Sequence, residues 1–292
     1  MYYLVYGLFK LISFIPLKVL YLLANFVAFL LYHVIKYRKK TVLNNLLIAF
    51  PQKTEQERVK IAKRFYRNLA DNILETFKLF SKGQAFINRH VIVEIDPLLA
   101  ALKTNPSVQF LAGHQFNWEY INLAMKPLHP APFIGVYMPL ENKVFNKIFY
   151  NMRSQNGTIM IPAKKMKLHY EPYKNINHTL ILVADQNPKN PDAGYWISFL
   201  NKVVPFIKNP ELAAKEKNAA VVFGFVTKPK RGVYHVKFEL ITNNPNSLPP
   251  GEITKRFVAM LSRSIIAQPD IYLWSHRRWK FNYTDQFKDL LV

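Results

Sequence analysis

From residue 91 onward, short runs rich in β-branched and aromatic residues alternate with longer runs in which apolar residues recur at helical spacing. The strand-like runs are residues 91–95, 108–112, 133–137, 179–184, 220–226 and 234–240. The helical runs between and after them are residues 118–125, 143–156, 209–217 and 253–268. This alternation predicts an α/β fold, in which helices flank a mixed β-sheet.

Two further helices are predicted before the first strand. One covers residues 41–50 and ends before Pro51, and the next begins after Thr54. Thr54 is a residue type favoured at a helix N-cap. Glu57 stands three positions later, where it completes a capping box.

The most hydrophobic segment lies near the N-terminus, where residues 19–35 are 17 consecutive residues without Asp, Glu, Lys or Arg. As a helix this segment is about 25 Å long, at the short end for a bilayer span. A basic cluster at residues 36–40 follows it, whereas a cleavable signal peptide carries its charges first. We therefore predict an uncleaved membrane anchor, followed by a cytoplasmic domain. The alternative is a helical hairpin, broken at Pro16, that packs on the domain or lies in the membrane interface.

The composition excludes several kinds of function. The 292 residues include 40 Lys or Arg and 18 Asp or Glu, and the formal charge of +22 predicts an anionic partner. The absence of Cys excludes thiolate metal sites and a Cys nucleophile. The positions of the nine Gly residues exclude the G-x-G-x-x-G, P-loop and G-x-S-x-G motifs. We therefore expect side-chain acid–base chemistry without a cofactor or a metal.

Residues 108–120 read VQFLAGHQFNWEY, an apolar run followed by His114 and, five positions later, Glu119. On one helix these two side chains would point about 140° apart, but they can meet if His114 ends a strand and Glu119 begins a helix. A His with a carboxylate on its second ring nitrogen can act as a general base. Without a Ser or Cys nucleophile, the attacking group comes from the substrate, which indicates acyl transfer. The alternative is a helix-capping His and a surface Glu.

Residues 113–119, GHQFNWE, resemble the G-H-x-x-N-W-E block of the bacterial lipid A late acyltransferases, the lauroyl/myristoyl transferase family. Further blocks, in the same order as in that family, extend the similarity over most of the chain. They are RKKTVLNNLLIAFP at residues 38–51, VYMPLEN at 136–142, RSQNG at 153–157, ADQN at 184–187 and YLWSHRRWK at 272–280. The chain departs from the family pattern at Gln115, Phe116, Met138 and residues 199–201.

The resemblance implies an enzyme of the bacterial inner membrane that moves a fatty acyl chain from acyl carrier protein to a hydroxyl group of a lipid A precursor. It implies that His114 deprotonates this hydroxyl, that Glu119 orients His114, and that backbone N–H groups at the following helix start hold the oxyanion. The implied fold is that of the glycerolipid acyltransferases. The chain then divides into a membrane anchor, residues 1–40, and an acyltransferase domain, residues 41–292. Within this domain, residues 41–90 are a helical first part and residues 91–292 are the α/β catalytic core.

Four further residues in the matching blocks are expected to contact substrate. A guanidinium fits a phosphate group, so Arg153 is predicted to bind a phosphate of the acceptor or of phosphopantetheine. Asp185 either orients Arg153 or caps a loop. Asn117 and Gln186 are expected to line the same site.

Other functions stay open at the level of sequence. The same chemistry would acylate an aminolipid amine or a lysophospholipid hydroxyl, and coenzyme A is an alternative donor. A basic nucleic-acid-binding protein is disfavoured, because the basic residues are dispersed and no binding module for nucleic acid occurs. An inactive membrane scaffold is disfavoured by the presence of both His114 and Glu119.

Overall fold

The computed structural model describes the backbone of residues 1–292 and every side chain except that of Lys167. Its helices are α1 (Tyr2–Phe14), α2 (Leu17–Phe29), α3 (Lys39–Ala49), α4 (Glu55–Lys78), α5 (Gln84–His90), α6 (Asp96–Thr104), α7 (Trp118–Met125), α8 (Lys143–Ser154), α9 (Met166–Tyr170), α10 (Asn209–Lys217) and α11 (Glu252–Ala267). Its strands are β1 (Val91–Glu94), β2 (Val108–Ala112), β3 (Phe133–Tyr137), β4 (Ile159–Pro162), β5 (Thr179–Val183), β6 (Gly194–Phe199), β7 (Lys202–Ile207), β8 (Ala220–Lys230) and β9 (Val233–Thr242). A π-helical segment, Leu30–Val34, continues α2.

Within the described backbone, seven strands form one sheet in the order β1-β9-β8-β2-β5-β3-β4. β2 lies between β8 and β5 and runs parallel to both. β3 and β4 continue the parallel part, whereas β9 runs antiparallel to β8. All five residues of β2 are buried, as expected for a parallel strand covered on both faces. The carboxyl ends of β2, β5, β3 and β4 therefore lie along one edge of the sheet.

The predicted α/β fold with a mixed sheet and flanking helices is confirmed, and each predicted strand is present. The structure adds β4 at the sheet edge and a separate antiparallel hairpin, β6–β7. Leu200 and Asn201 form the turn of this hairpin, with φ angles of 48° and 68°. Positive φ at both central residues is characteristic of a tight hairpin turn, so the departure from the family pattern at 199–201 falls on this turn.

The predicted capping box at the start of α4 is also confirmed. The hydroxyl of Thr54 accepts a hydrogen bond from the N–H of Glu57, and the carboxylate of Glu57 accepts one from the N–H of Thr54. α4 then continues for 24 residues, and α1, α2 and α3 pack against it. This long helix therefore connects the N-terminal helices to the sheet domain.

The two N-terminal helices bury only one side against the rest of the molecule. Phe9 of α1 and Leu20, Ala24 and Ala28 of α2 are buried. The other side carries exposed large apolar residues: Leu4, Leu8, Leu11, Phe14, Val19, Leu22, Phe26 and Phe29. The helical stretch Leu17–Val34 is long and apolar enough to cross a membrane, and only 22% of it is buried, unlike the core helix of a soluble domain.

Candidate active site

His114 lies at the carboxyl end of β2, in the loop that leads to α7. The neighbouring strand β5 ends in register with β2, since Val183 pairs with Ala112. Asp185, two residues beyond the end of β5, therefore reaches His114. Its Oδ1 lies 2.5 Å from Nδ1 of His114, and its Oδ2 accepts a hydrogen bond from the backbone N–H of His114 at 3.0 Å.

The two partners of this pair differ in exposure and in the direction of their pKa shifts. The side chain of His114 is 24% exposed, whereas that of Asp185 is 2% exposed. Burial favours the neutral imidazole, but the charge and hydrogen bond of Asp185 outweigh burial and raise the pKa of His114. Burial also opposes the carboxylate of Asp185, but His114 and Arg278 hold its pKa below the ordinary value. Because Nδ1 is engaged, Nε2 is the ring atom available to a substrate, and Nε2 of Gln186 lies 3.3 Å from it.

Glu119 lies in the first turn of α7, but its partner is Arg153. Nε of Arg153 lies 3.1 and 3.0 Å from the two carboxylate oxygens, and Nη2 lies 2.5 Å from Oε1. The structure therefore corrects the predicted pairing of Glu119 with His114, and it also corrects the suggestion that Asp185 orients Arg153. The physical reason is that α7 turns Glu119 toward α8, while the register of β2 and β5 brings Asp185 to His114.

Arg153 lies in the last turn of α8 and keeps its charge in this environment. Burial disfavours the charged guanidinium, but the hydrogen bonds and charge of Glu119 raise the pKa of Arg153. Its side chain is 22% exposed, and that of Glu119 is 5% exposed. Trp118 lies between the two ion pairs: its ring centroid is 6.0 Å from that of His114, and its indole N–H donates to Glu119 at 3.2 Å. The site thus presents a base and a fixed positive charge on either side of Trp118.

Asn117 is fully buried and forms the N-cap of α7. Its side-chain oxygen accepts hydrogen bonds from the N–H groups of Glu119 and Tyr120, both at 3.2 Å, and its side-chain nitrogen donates to Glu75 at 3.1 Å. Asn117 therefore presents no surface to a substrate, contrary to expectation. Of the helix-start N–H groups expected to hold an oxyanion, those of Glu119 and Tyr120 bond to Asn117.

The C-terminal block at residues 272–280 supports the loops that carry the His114–Asp185 pair. The N–H of Leu273 donates to the carbonyl oxygen of His114 at 3.0 Å. Arg278 is buried and donates through Nη1 to Asn187, two residues after Asp185, at 2.5 Å. Two segments that are far apart in the sequence are therefore held in place by one short stretch of chain.

The relation between His114 and Asp185 is the main feature of the site that sequence reasoning missed. The available signal was that both residues follow an apolar strand-like run. Parallel strands end at the same edge, so this signal places both residues on one edge without making them neighbours. Among the described side chains, no cluster of three or more His, Asp or Glu residues is close enough to hold a metal ion.

Comparison with known proteins shows the family of the chain. A family model described as bacterial lipid A biosynthesis acyltransferase matches residues 1–281. The chain is 23% identical over 279 residues to the lipid A biosynthesis lauroyltransferase of Escherichia coli (strain K12), which covers 94% of this chain and 89% of that protein. It is 22% identical over 249 residues to the lipid A biosynthesis palmitoleoyltransferase of the same organism, with 84% and 80% covered, and equally similar to a lipid A biosynthesis acyltransferase of Shigella flexneri. Because the family match spans almost the whole sequence, the chain belongs to the bacterial lipid A biosynthesis acyltransferase family and is an acyl-transferring enzyme.

Proposed function

We propose that this enzyme transfers a fatty acyl group from acyl carrier protein to a hydroxyl group of a lipid A precursor, with His114 as the general base. The observation that carries the proposal is the His114–Asp185 pair, which leaves Nε2 of His114 accessible at the carboxyl edge of the sheet. Membership of the lipid A acyltransferase family supports a lipid A-type acceptor.

In the proposed reaction, Nδ1–H of His114 donates to Asp185, so that Nε2 carries the lone pair. Nε2 removes the proton of the acceptor hydroxyl as the hydroxyl oxygen attacks the carbonyl carbon of the thioester. The tetrahedral intermediate expels the phosphopantetheine thiolate, which takes the proton from the imidazolium. An ester bond replaces the thioester bond, and Asp185 stabilises the imidazolium formed between the two proton transfers.

Arg153 is proposed to bind a phosphate of the acceptor or of phosphopantetheine. The contacts from Glu119 fix the plane of the guanidinium, which favours directional binding of a tetrahedral anion. Gln186, next to Nε2 of His114, is proposed to position the acceptor hydroxyl. The formal charge of +22 favours encounter with an acidic carrier protein and a phosphorylated acceptor.

The N-terminal helices are proposed to hold the enzyme at the inner membrane, with residues 41–292 as a domain on the cytoplasmic face and residues 1–40 as its anchor. Support comes from the exposed apolar sides of α1 and α2 and from the basic residues at 36–40. Arg231 of the β8–β9 turn ties α2 to the domain, since it donates to Tyr21 O at 3.2 Å and to Asn25 Oδ1 at 2.9 Å. A helix attached in this way favours a position in the membrane interface, with its free side in lipid.

The test is mass spectrometry of lipid A and total phospholipids from a strain that lacks the gene. We expect lipid A to lack one acyl chain, and we expect the wild-type gene but not His114→Ala to restore it. Unchanged lipid A together with the loss of an acyl chain from an aminolipid or a phospholipid would contradict the proposed acceptor. Transfer assays with purified enzyme and the two thioesters, of acyl carrier protein and of coenzyme A, test the proposed donor.

A further inference from the structure

Glu75 of α4 is a fully buried carboxylate that takes no part in the proposed reaction. Its Oε1 accepts a hydrogen bond from the hydroxyl of Tyr21 in α2 at 2.9 Å. Its Oε2 accepts two, from the hydroxyl of Tyr234 in β9 at 2.7 Å and from the side-chain nitrogen of Asn117 at 3.1 Å. The carboxylate thus joins α2, the sheet and the start of α7.

Two features of the surroundings affect the hydrogen bonds of Glu75: a glycine in the nearby turn and the ionisable groups around the carboxylate. Gly232 in the β8–β9 turn has a φ of +76°, and a Cβ atom there would lie 2.1 Å from the hydroxyl of Tyr21. Any side chain at this position would have to displace the hydroxyl of Tyr21, in a backbone conformation that residues other than glycine rarely adopt. Burial raises the pKa of Glu75, against the charge of Lys228 and the hydrogen bonds from Tyr234 and Asn117. The ionisable groups around this carboxylate are Tyr21, Asp71, Tyr120, Lys228 and Tyr234.

The contact between Glu75 and Asn117, together with the N–H groups of Glu119 and Tyr120, holds the amide of Asn117 in one orientation. An Asn amide has an acceptor on one side and a donor on the other. A carboxylate at the nitrogen turns the oxygen of Asn117 toward the N–H groups of Glu119 and Tyr120, which it caps. The first turn of α7, which carries Glu119 and through it Arg153, is fixed by this cap.

We propose that Glu75 is a positioning residue for acyl transfer, which orients Asn117 and thereby places the Glu119–Arg153 pair relative to α2. This inference rests on the proposed function, because the pair is assigned there to substrate binding. Glu75 itself touches neither substrate nor His114; its effect on the reaction passes through Asn117.

The test exchanges the donor and the acceptor of the Glu75–Asn117 hydrogen bond. Asn117→Asp keeps the cap on α7 but places two carboxylates against each other, so we expect kcat/KM to fall by about 10-fold or more. Two carboxylates share a proton more readily at low pH, so the loss should grow as the pH rises. Adding Glu75→Gln supplies an amide donor to the new carboxylate. The double variant should recover to within about threefold of wild type and lose the added pH dependence.

Hydrogen exchange gives a second measurement that does not depend on activity. Glu75→Gln alone has nearly the shape of the native residue, but its amide can donate as well as accept, so it holds the orientation of Asn117 less firmly. We expect faster exchange of the N–H groups of Glu119 and Tyr120 in this variant, with the rest of the sheet unchanged. Unchanged exchange at these two positions would overturn the proposal, whatever the activity of the variants.

Asp71→Asn is the matched control. Asp71 is a second buried carboxylate on α4, and it binds Lys228 at 3.1 Å and Arg231 at 2.5 Å without a contact to Asn117. This variant should lower the melting temperature but leave kcat/KM unchanged well below the transition. Equal losses of kcat/KM in Asp71→Asn and Asn117→Asp, or no recovery in the double variant, would mean that Glu75 acts only through stability. An inactive wild-type enzyme would contradict the proposed function instead, and the exchange experiment would still test Glu75.

Discussion

The His114–Asp185 and Arg153–Glu119 pairs lie at the same edge of the sheet. Each joins a partly exposed basic side chain to a more deeply buried carboxylate. The first pair connects two loops that follow neighbouring parallel strands, whereas the second connects the first turn of α7 to the last turn of α8. Imidazole changes its charge near neutral pH, but guanidinium does not. The same kind of contact therefore creates a titratable base in one place and a permanent positive charge in the other.

This difference teaches that the function of an ion pair depends on which atoms it leaves free. Asp185 engages Nδ1 of His114 and leaves Nε2 to accept a proton. Glu119 binds one edge of the Arg153 guanidinium. The side chain of Arg153 stays charged and partly exposed, and it cannot accept a proton. Substitutions in the two pairs should consequently change different kinetic quantities, and this contrast can be tested directly.

The largest effect is expected from His114→Ala, which removes the proposed base. Acyl transfer should fall by about 10²–10⁴-fold, the usual contribution of a positioned general base. Donor binding should change little, because the imidazole acts on the proton of the acceptor. Turnover and donor affinity of the folded variant measure this effect, with His169→Ala, at an exposed position on α9, as the control. Activity within tenfold of wild type would remove His114 from the proposed mechanism.

Asp185→Asn should cause the next largest loss, about 10²–10⁴-fold, because an amide does not stabilise the imidazolium and can select the wrong tautomer. The pH profile sharpens this prediction. Neutral His114 is the active form and its pKa is raised above 6.5, so wild-type kcat/KM should rise with pH through a midpoint above 6.5. Without the carboxylate that raises this pKa, the midpoint of the residual activity should move to lower pH. An unchanged midpoint would contradict the prediction that Asp185 raises the pKa of His114.

Substitutions in the second pair should affect substrate binding more than the pH profile. Arg153→Lys loses the planar fork, and Glu119→Gln loses the charge that holds it, so each should raise KM by about 10-fold or more. The pH midpoint should stay that of wild type, because neither change touches His114. Steady-state kinetics over a range of pH measures both quantities, with the exposed Arg277→Lys as a control. A shifted midpoint with unchanged KM would reverse the roles that we propose for the two pairs.

The smallest expected effect is on stability. The pKa of His114 is raised by folding, so its contribution to stability is fully present below its unfolded pKa and is lost as the pH rises through the folded value. The difference in free energy of unfolding between wild type and Asp185→Asn should therefore be largest below about pH 6.5, as long as Asp185 stays ionised, and should decrease above this pH. Arg153 keeps its charge over this range because its pKa is raised, so Arg153→Lys should show no such trend. Chemical denaturation at several pH values compares the two variants.

Local features of the fold followed directly from the sequence. The capping box at Thr54 and the bounds of β2, β3, α7 and α10 agree with their predicted positions. Each depends on contacts between residues close in sequence or on a clear apolar period. β4 was not predicted, because four residues at a sheet edge carry too little pattern to stand out. The long hairpin β8–β9 was only partly predicted, since its exposed ends depend on pairing between the two strands.

By itself the sequence determined that His114 and Asp185 each follow an apolar strand-like run and that Glu119 lies in the first turn of a helix. Only the tertiary structure decided that β5 lies beside β2, so that two residues 71 positions apart form a pair. It also decided that α7 packs near α8, so that Glu119 binds Arg153. The reason is physical: strand order and helix packing arise from burial and hydrogen bonding across the whole chain. The spacing between residues reports only local geometry.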